Sequence, residues 1–331
     1  MSATLNTPGR FMAPAPPERL AALRVLVTGF AMAYLVVRTP YFIDVFRLGE
    51  EQPARFSPVG PVAYMDQPVS MAVGVAALVA TMAVGVGAVA GWRWRVTGPT
   101  FAFGVLAIMS YRNSWGQIFH TENLLVLHLA ILAIAPASDA WSLDRRRSGR
   151  AATDRVGARP VLGLGPRSHS RYGWPIQLMV VVVVVAYVLA GLAKVRAGGL
   201  AWASGDVLRN LVAHDSLRKV LVGDTRASPV GGWVLRNDWL FPPMAVLSLA
   251  VELGAPIALV GGRWRTGWVI AAWLFHVGVL AVMTIFFAYQ LLGVAFACCF
   301  AIETLPSRWK RGVSAILATN NSNRPNPGAT R

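Results

Sequence analysis

The sequence predicts an all-α integral membrane protein, a bundle of about eight transmembrane helices with both termini in the cytoplasm. Three observations predict it. The 331 residues are 55% hydrophobic and only 14% charged, with a mean hydropathy of +0.50, which lies outside the soluble globular range. The apolar residues gather in runs near the roughly 20 residues a helix needs to cross about 30 Å of hydrocarbon. The basic residues concentrate in alternate connecting segments, the pattern that membrane topology imposes.

The expected spans cover residues 20–38, 69–91, 97–111, 118–136, 173–194, 240–261, 266–285 and 287–304. The first follows a segment holding Arg10 and Arg19 and lacks a small-residue cleavage pattern, so it reads as a retained span and not a signal peptide. The second ends in "GVGAVAG", residues 85–91, whose small side chains allow close helix packing in lipid. The third is short and interrupted by Gly98, Pro99 and Gly104. The fourth opens from a tight outer turn in "YRNSWGQIFHTENLLVLHL", residues 111–129. The fifth ends in "YVLAGLAKVRAGGLAWASG", residues 187–205, and the sixth carries Glu252 in "LAVELGAP", just before a proline that loosens the helix. The seventh carries His276. The eighth holds Cys298 and Cys299, adjacent in an apolar run, which implies neither a disulfide framework nor a metal site.

Orientation follows from the arginines. With the N terminus inside, the inner segments hold Arg10 and Arg19, Arg93 and Arg95, eight arginines between Arg145 and Arg171, Arg263 and Arg265, and then Arg308, Lys310 and Arg311. The outer segment 39–68 is acidic on balance, and 195–239 is mixed. The chain therefore divides into a cytoplasmic segment 1–19, a transmembrane domain 20–305 with an Arg-rich linker 137–171 and an outer loop 195–239, and a cytoplasmic tail 306–331 expected to be disordered, as the linker is expected to be flexible. The net charge of +16 is explained by this topology and not by nucleic-acid binding. Trp233, Trp239, Trp264 and Trp268 read as an aromatic belt at the interfaces.

Ionisable side chains inside hydrocarbon are costly unless paired or solvated, so each is a candidate for function. The set is Arg38, Arg112, His120, Glu122, His128, Lys194, Glu252 and His276. If the fourth span is helical from residue 118, Asn123 lies about 60° from His120 and Glu122 about 160° away, so His120 and Asn123 share one cavity while Glu122 faces elsewhere. Glu122 then reads as a first-turn carboxylate favoured by the helix dipole, and His128 as an interhelical hydrogen-bonding residue. Glu252 reads as the partner of a neighbouring span.

Lys194 stands out because only three of the 31 basic residues are lysines. Snorkelling to the headgroups is the simplest role for a lysine at a helix end, but arginine snorkels as well. Burial can leave a lysine neutral and basic, which arginine cannot become, so Lys194 is a candidate general base.

These stretches resemble a family. "NSWGQIFHTENLLVLHL", "YVLAGLAKVRAGGLAWASG", "VELGAP" and "FHVGVLAVMTIFF" are similar to the horizontally transferred transmembrane (HTTM) domain shared with vitamin K-dependent gamma-glutamyl carboxylases, over roughly residues 20 to 305. The most specific part is the set Tyr187, Ala190, Gly191, Lys194, Trp202 and Gly205. The resemblance implies that Lys194 is the base that deprotonates a reduced quinone, vitamin K or menaquinone, in carboxylase-like or epoxidase-like chemistry. It implies a role for His120 beside it as a catalytic partner, and for Asn123, Arg112, His276 and Trp202 in binding the cofactor. Phe119 stands where the carboxylase has an asparagine before its histidine.

The implied setting is a bacterial plasma membrane, with the lipid bilayer, a quinone and an outward-facing peptide or small-molecule substrate as partners. No metal cofactor is expected. Two other readings remain open on the sequence: a non-catalytic quinone- or lipid-binding or scaffolding module, and a small-solute transporter, against which stand the absence of a sequence repeat and the sparse midplane charge.

Overall fold

The computed structural model describes residues 13–148, 168–221, 223 and 227–305. The expected cytoplasmic tail and most of the Arg-rich linker lie outside the described residues. Among the described residues the fold is all-helical, without strands.

In chain order the helices are α1 (Pro17–Val37), α2 (Thr39–Glu51), α3 (Met71–Ala90), α4 (Trp94–Arg112), α5 (Asn123–Ile134), α6 (Leu143–Ser148), α7 (Ser170–Gly198), α8 (Leu200–Ala203), α9 (Asp206–Leu221), α10 (Pro229–Leu235), α11 (Phe241–Leu253), α12 (Gly262–Met283) and α13 (Ala288–Leu291). Four of them, α1, α3, α7 and α12, are long and apolar enough by length and composition to cross a membrane. Half of α1's apolar window is buried against 28% for α3 and for α12, so α1 is a central helix and those two are peripheral. The core around α1 is built from α3, α5, α7 and the buried turn 294–299, with α4 packed against α3 and α5.

Side-chain and backbone contacts sort the helix termini into two ends. At one end Arg19 pairs with Glu303 at 2.9 Å, Ala15 bridges His169, and Asp144 accepts from the backbone N–H groups of Arg93 and Trp94 at 2.7 and 2.9 Å. At the other, Glu50 accepts from Met71 N at 2.9 Å, Ser57 N donates to Ser114 O at 2.8 Å, and Ser228 donates to Ala281 O. Lys219, paired with Asp215 of its own helix at 2.7 Å, holds α9 down on the end of α12 through Thr284 at 2.8 Å and the Met283 carbonyl. Between these ends the chain runs back and forth along α1, α3, α4, α5, α7, α11, α12 and the segment 288–304.

Several expected spans take a different form. The fourth is helical only from Asn123 to Ile134, because residues 113–122 are held as a loop by side-chain bonds described below. The sixth ends at Leu253 and continues as a 3-10 turn over Ala255–Val260, where Pro256 removes a helical N–H. The eighth is not one helix: α13 is followed by 3-10 turns at Val294–Cys299 and Ile302–Thr304, after Gly293 takes φ +74. The segments expected as outer loops contain α2, which buries Phe42, Val45 and Phe46, and the helices α8, α9 and α10.

Candidate functional site

The site grows from the close approach of α7 and α11. Gly191 makes it possible: a Cβ there would stand 2.8 Å from Leu253 Cδ2 and 3.1 Å from Glu252 Cβ. One turn further along α7, the Lys194 ammonium donates to Glu252 Oε1 at 2.6 Å. The lysine thus turns inward to a carboxylate instead of snorkelling outward. Its Nζ lies 5.0 Å from the ring centre of Trp202 and 5.3 Å from that of Phe275, so aromatic faces add cation–π attraction on its flanks. Trp202 is set by Gly205, which sits at φ +88 against the Phe241–Pro242 backbone, where a side chain would collide.

Tyr187, two turns before Lys194, reaches His276 of α12, Oη to Nε2 at 2.7 Å. Phe287 then lies between two imidazoles, with ring centres 4.7 Å from His276 and 5.6 Å from His120. These residues border a cavity of about 670 Å³ that also takes in Asn123, Glu252 and Gln290. Glu252 Oε2, His276 Nδ1 and Gln290 Oε1 are buried without a hydrogen-bond partner. Orphaned buried polar atoms are rare because each costs about 1–3 kcal/mol, and three of them border this one cavity. The remaining wall includes Leu127, Val185 and Leu189, apolar side chains exposed on the outer face of α5 and α7.

His120 is presented by a pinned loop. Asn113 donates to Phe119 O at 3.1 Å and accepts from Phe119 N at 3.2 Å, while the Arg112 guanidinium lies 4.8 Å over the Phe119 ring. Arg112 is in turn paired with Glu122 at 2.7 Å, and Glu122 accepts from Tyr34 at 2.8 Å and Thr121 at 2.6 Å. Phe119 is therefore a fixed point of this loop.

The structure gathers Lys194, His120, Asn123 and His276 around one cavity. His120 and Asn123 meet there although His120 precedes the helix, so their shared face comes from the loop and not from the helical angle. Trp202 borders a second cavity on the other side of Lys194. Arg112 does not border the first cavity; it is 3% exposed and bound to Glu122, Tyr34 and Asn113. Glu122 precedes the first residue of α5 and makes no side-chain cap bond there, so its carboxylate serves Arg112 instead of the helix terminus. His128 is fully buried, 2.7 Å from Tyr289 Oη and 3.3 Å from Met179 O, which is the interhelical bonding its position suggests. Sequence reasoning passed over Gln290 and Phe287. Both lie where the eighth span was read as a plain apolar helix, and the only signal was a glutamine in an otherwise apolar run.

An all-helical fold with four apolar helices of membrane-crossing length, enclosing a buried ion pair beside apolar cavities, defines a membrane-type protein. A family model for the HTTM domain matches residues 12–302. The chain belongs to the HTTM domain family. No curated protein and no solved structure matches it.

Proposed function

We propose that this protein is a multi-pass plasma-membrane enzyme in which Lys194 and Glu252 act together as a base toward a reduced quinone held in the cavity beside them. The observation that carries the reading is the 2.6 Å Lys194–Glu252 pair at the wall of a cavity with three unpartnered polar atoms. A quinone fits what the cavity offers. The unpaired Glu252 Oε2 and Gln290 Oε1 suit its hydroxyl groups, the Phe287 and Phe275 rings suit its flat ring system, and exposed Leu127, Val185 and Leu189 suit an apolar tail reaching from the bilayer. When bound, a reduced quinone supplies an acidic hydroxyl and two electrons for oxygen.

The protein's part is to take the hydroxyl proton. In a site poor in water, an ammonium–carboxylate pair and an amine–carboxylic acid pair differ only by a proton shifted along their hydrogen bond, since desolvation disfavours the charged form. In the neutral arrangement Lys194 is a free base. Accepting one further proton leaves the pair as ammonium and carboxylic acid, with a net charge of +1. Tyr187 fixes His276, and the Phe119 loop fixes His120, so both imidazoles face the cavity as hydrogen-bonding groups.

The passes described above are read as eight membrane spans with the N terminus inside. Arg19, Arg93, Arg95, Arg145, Arg146 and Arg147 belong to the end that holds Glu303 and Asp144, and positive charge near helix ends is retained in the cytoplasm.

The ion pair also favours a second reading, because it holds Lys194 as a charged donor. The protein is then a quinone- or lipid-binding module without turnover. Hydroquinone-dependent oxygen uptake in nanodiscs separates the two. Wild-type turnover that falls about 10²–10⁴-fold in Lys194→Arg, the scale of general-base catalysis, supports the enzyme. Quinone binding with no turnover in the wild-type protein rejects it.

A further inference from the structure

A second cavity of about 500 Å³ lies on the opposite side of Lys194, between α9, α11 and α12. It shares Lys194, Phe275 and Val279 with the first cavity, so these three side chains form the wall between them. Its chemistry differs. The first cavity is bordered by unpartnered atoms that accept hydrogen bonds, but the second has none among its described side chains. Trp202 is 6% exposed and its Nε1, a donor only, has no partner. Lys194 has three N–H bonds and uses one of them on Glu252. Ser248 already gives its hydroxyl hydrogen to Ala245 O at 2.8 Å, so it offers no further donor and its oxygen is the single side-chain oxygen on this wall. The rest of the wall is apolar, and Leu211, Leu247 and Leu274 are exposed on its outer side, where α11 and α12 face the bilayer in the proposed topology and α9 lies at their outer end.

A ligand that satisfies these groups has an oxygen that only accepts, next to a hydrocarbon chain. We propose that the second cavity binds the acyl chain of a membrane lipid, with its ester or carboxyl oxygen at Trp202 Nε1 and the free N–H bonds of Lys194. A phospholipid ester and a free fatty acid share this chemistry. A ligand rich in hydroxyl donors finds only the Ser248 oxygen among the side-chain oxygens there. The site goes beyond the quinone reading and does not depend on it, because it uses the other face of Lys194 and requires no reaction.

Gly278 supplies a clean test. It borders the second cavity and not the first, and a Cβ added to it meets nothing within 4 Å. Gly278→Leu therefore places its side chain in the cavity from a Cβ that meets no neighbour. Gly267, in the same helix, also has open space around it and borders neither cavity, so Gly267→Leu is the control. The protein is reconstituted in nanodiscs containing a phosphatidylcholine with a diazirine on one acyl chain, irradiated, and the labelled residues are mapped by mass spectrometry. A diazirine fatty acid in plain nanodiscs identifies which of the two sources binds.

Labelling is expected to concentrate on Leu208, Met244 and Met283, to fall at least about fivefold in Gly278→Leu, and to remain in Gly267→Leu. An ether-linked lipid is expected to label these positions several-fold less than the ester, and Trp202→Phe to remove that difference. Quinone binding is expected to be unchanged in Gly278→Leu. Labelling spread evenly over every lipid-facing helix and indifferent to Gly278→Leu would overturn the proposal. So would loss of quinone binding in Gly278→Leu, which would assign the second cavity to the quinone.

Discussion

Lys194 of α7 and Glu252 of α11 are joined by a 2.6 Å hydrogen bond, and Gly191, one turn before the lysine, packs against the same glutamate. The pair is therefore a product of helix packing as much as of charge. A glycine brings two backbones together, and only then is the lysine side chain short of solvent and long enough to reach a carboxylate on the neighbouring helix. The carboxylate side chain is 5% exposed and the lysine 21%, so water screens the interaction little.

Removing one partner of such a pair strands the other. Glu252→Leu is expected to destabilise the protein by about 3 kcal/mol, because an ammonium is left in an apolar setting. The double variant Lys194→Met/Glu252→Leu is expected to recover most of that loss. Thermal unfolding in detergent, followed for both singles and the double, measures the coupling; additive losses would show that the pair is energetically idle.

Gly191→Val is expected to separate α7 from α11, since a single Cβ already stands 2.8 Å from Leu253 and 3.1 Å from Glu252. The packing loss should be on the order of 1–3 kcal/mol. Quinone binding should weaken more than in Ala190→Val, because Ala190 borders the cavity but does not hold the helices together. Equal binding in the two variants would separate the packing contact from the site.

The Arg112–Glu122 pair acts on the cavity through Phe119 and His120. Glu122→Gln keeps the shape and removes the charge. It is expected to cost about 2 kcal/mol in stability, within the range for hydrogen bonds to charged groups. Because the Phe119 backbone stays bonded to Asn113, the His120 loop should stay in place. Asn113→Ala removes both of those bonds and is expected to weaken quinone binding by about tenfold, with a smaller loss of stability. A binding constant unchanged in Asn113→Ala would mean that the loop is held by other contacts.

Much of this was legible in the sequence, and the reasons are physical. Spans rich in valine and leucine declare themselves by hydropathy, so α1, α3, α7 and α12 follow from composition. The cluster Tyr187, Gly191, Lys194, Trp202 and Gly205 is spaced so that each member has one job: a hydrogen bond, a close approach, a charge, a ring and a turn. The helical angle assigned to His120 failed because Asn113 holds the chain in a loop, and a side chain bonding backbone six residues away leaves no periodic trace. The broken path after Phe287 was hidden for a similar reason: Gly293 ends the helix in a run that is apolar throughout. The Lys194–Glu252 contact joins residues 58 positions apart, which one sequence cannot display.

Arg24 is the clearest case of a residue whose role only the fold exposes. It lies in the first apolar span and is completely buried. Its guanidinium donates to Ala137 O at 3.0 Å and to Trp141 O, and its centre lies 5.9 Å from the Trp94 ring. It thereby joins α1 to the chain leaving α5 and to the start of α4. Gly91 closes the space beside it, at φ +64, where an added Cβ would run into the guanidinium. Gly91→Ala combines a left-handed backbone with that collision and is expected to cost about 2 kcal/mol or more. Arg24→Leu leaves two carbonyls without donors and should cost about 2–6 kcal/mol at roughly 1–3 kcal/mol per buried unsatisfied group. The two changes act on one contact, so Arg24→Leu/Gly91→Ala is expected to fall short of their sum by about 1 kcal/mol or more in thermal unfolding. Strict additivity would show that Gly91 is required only for its backbone angle and not for the room it leaves the arginine.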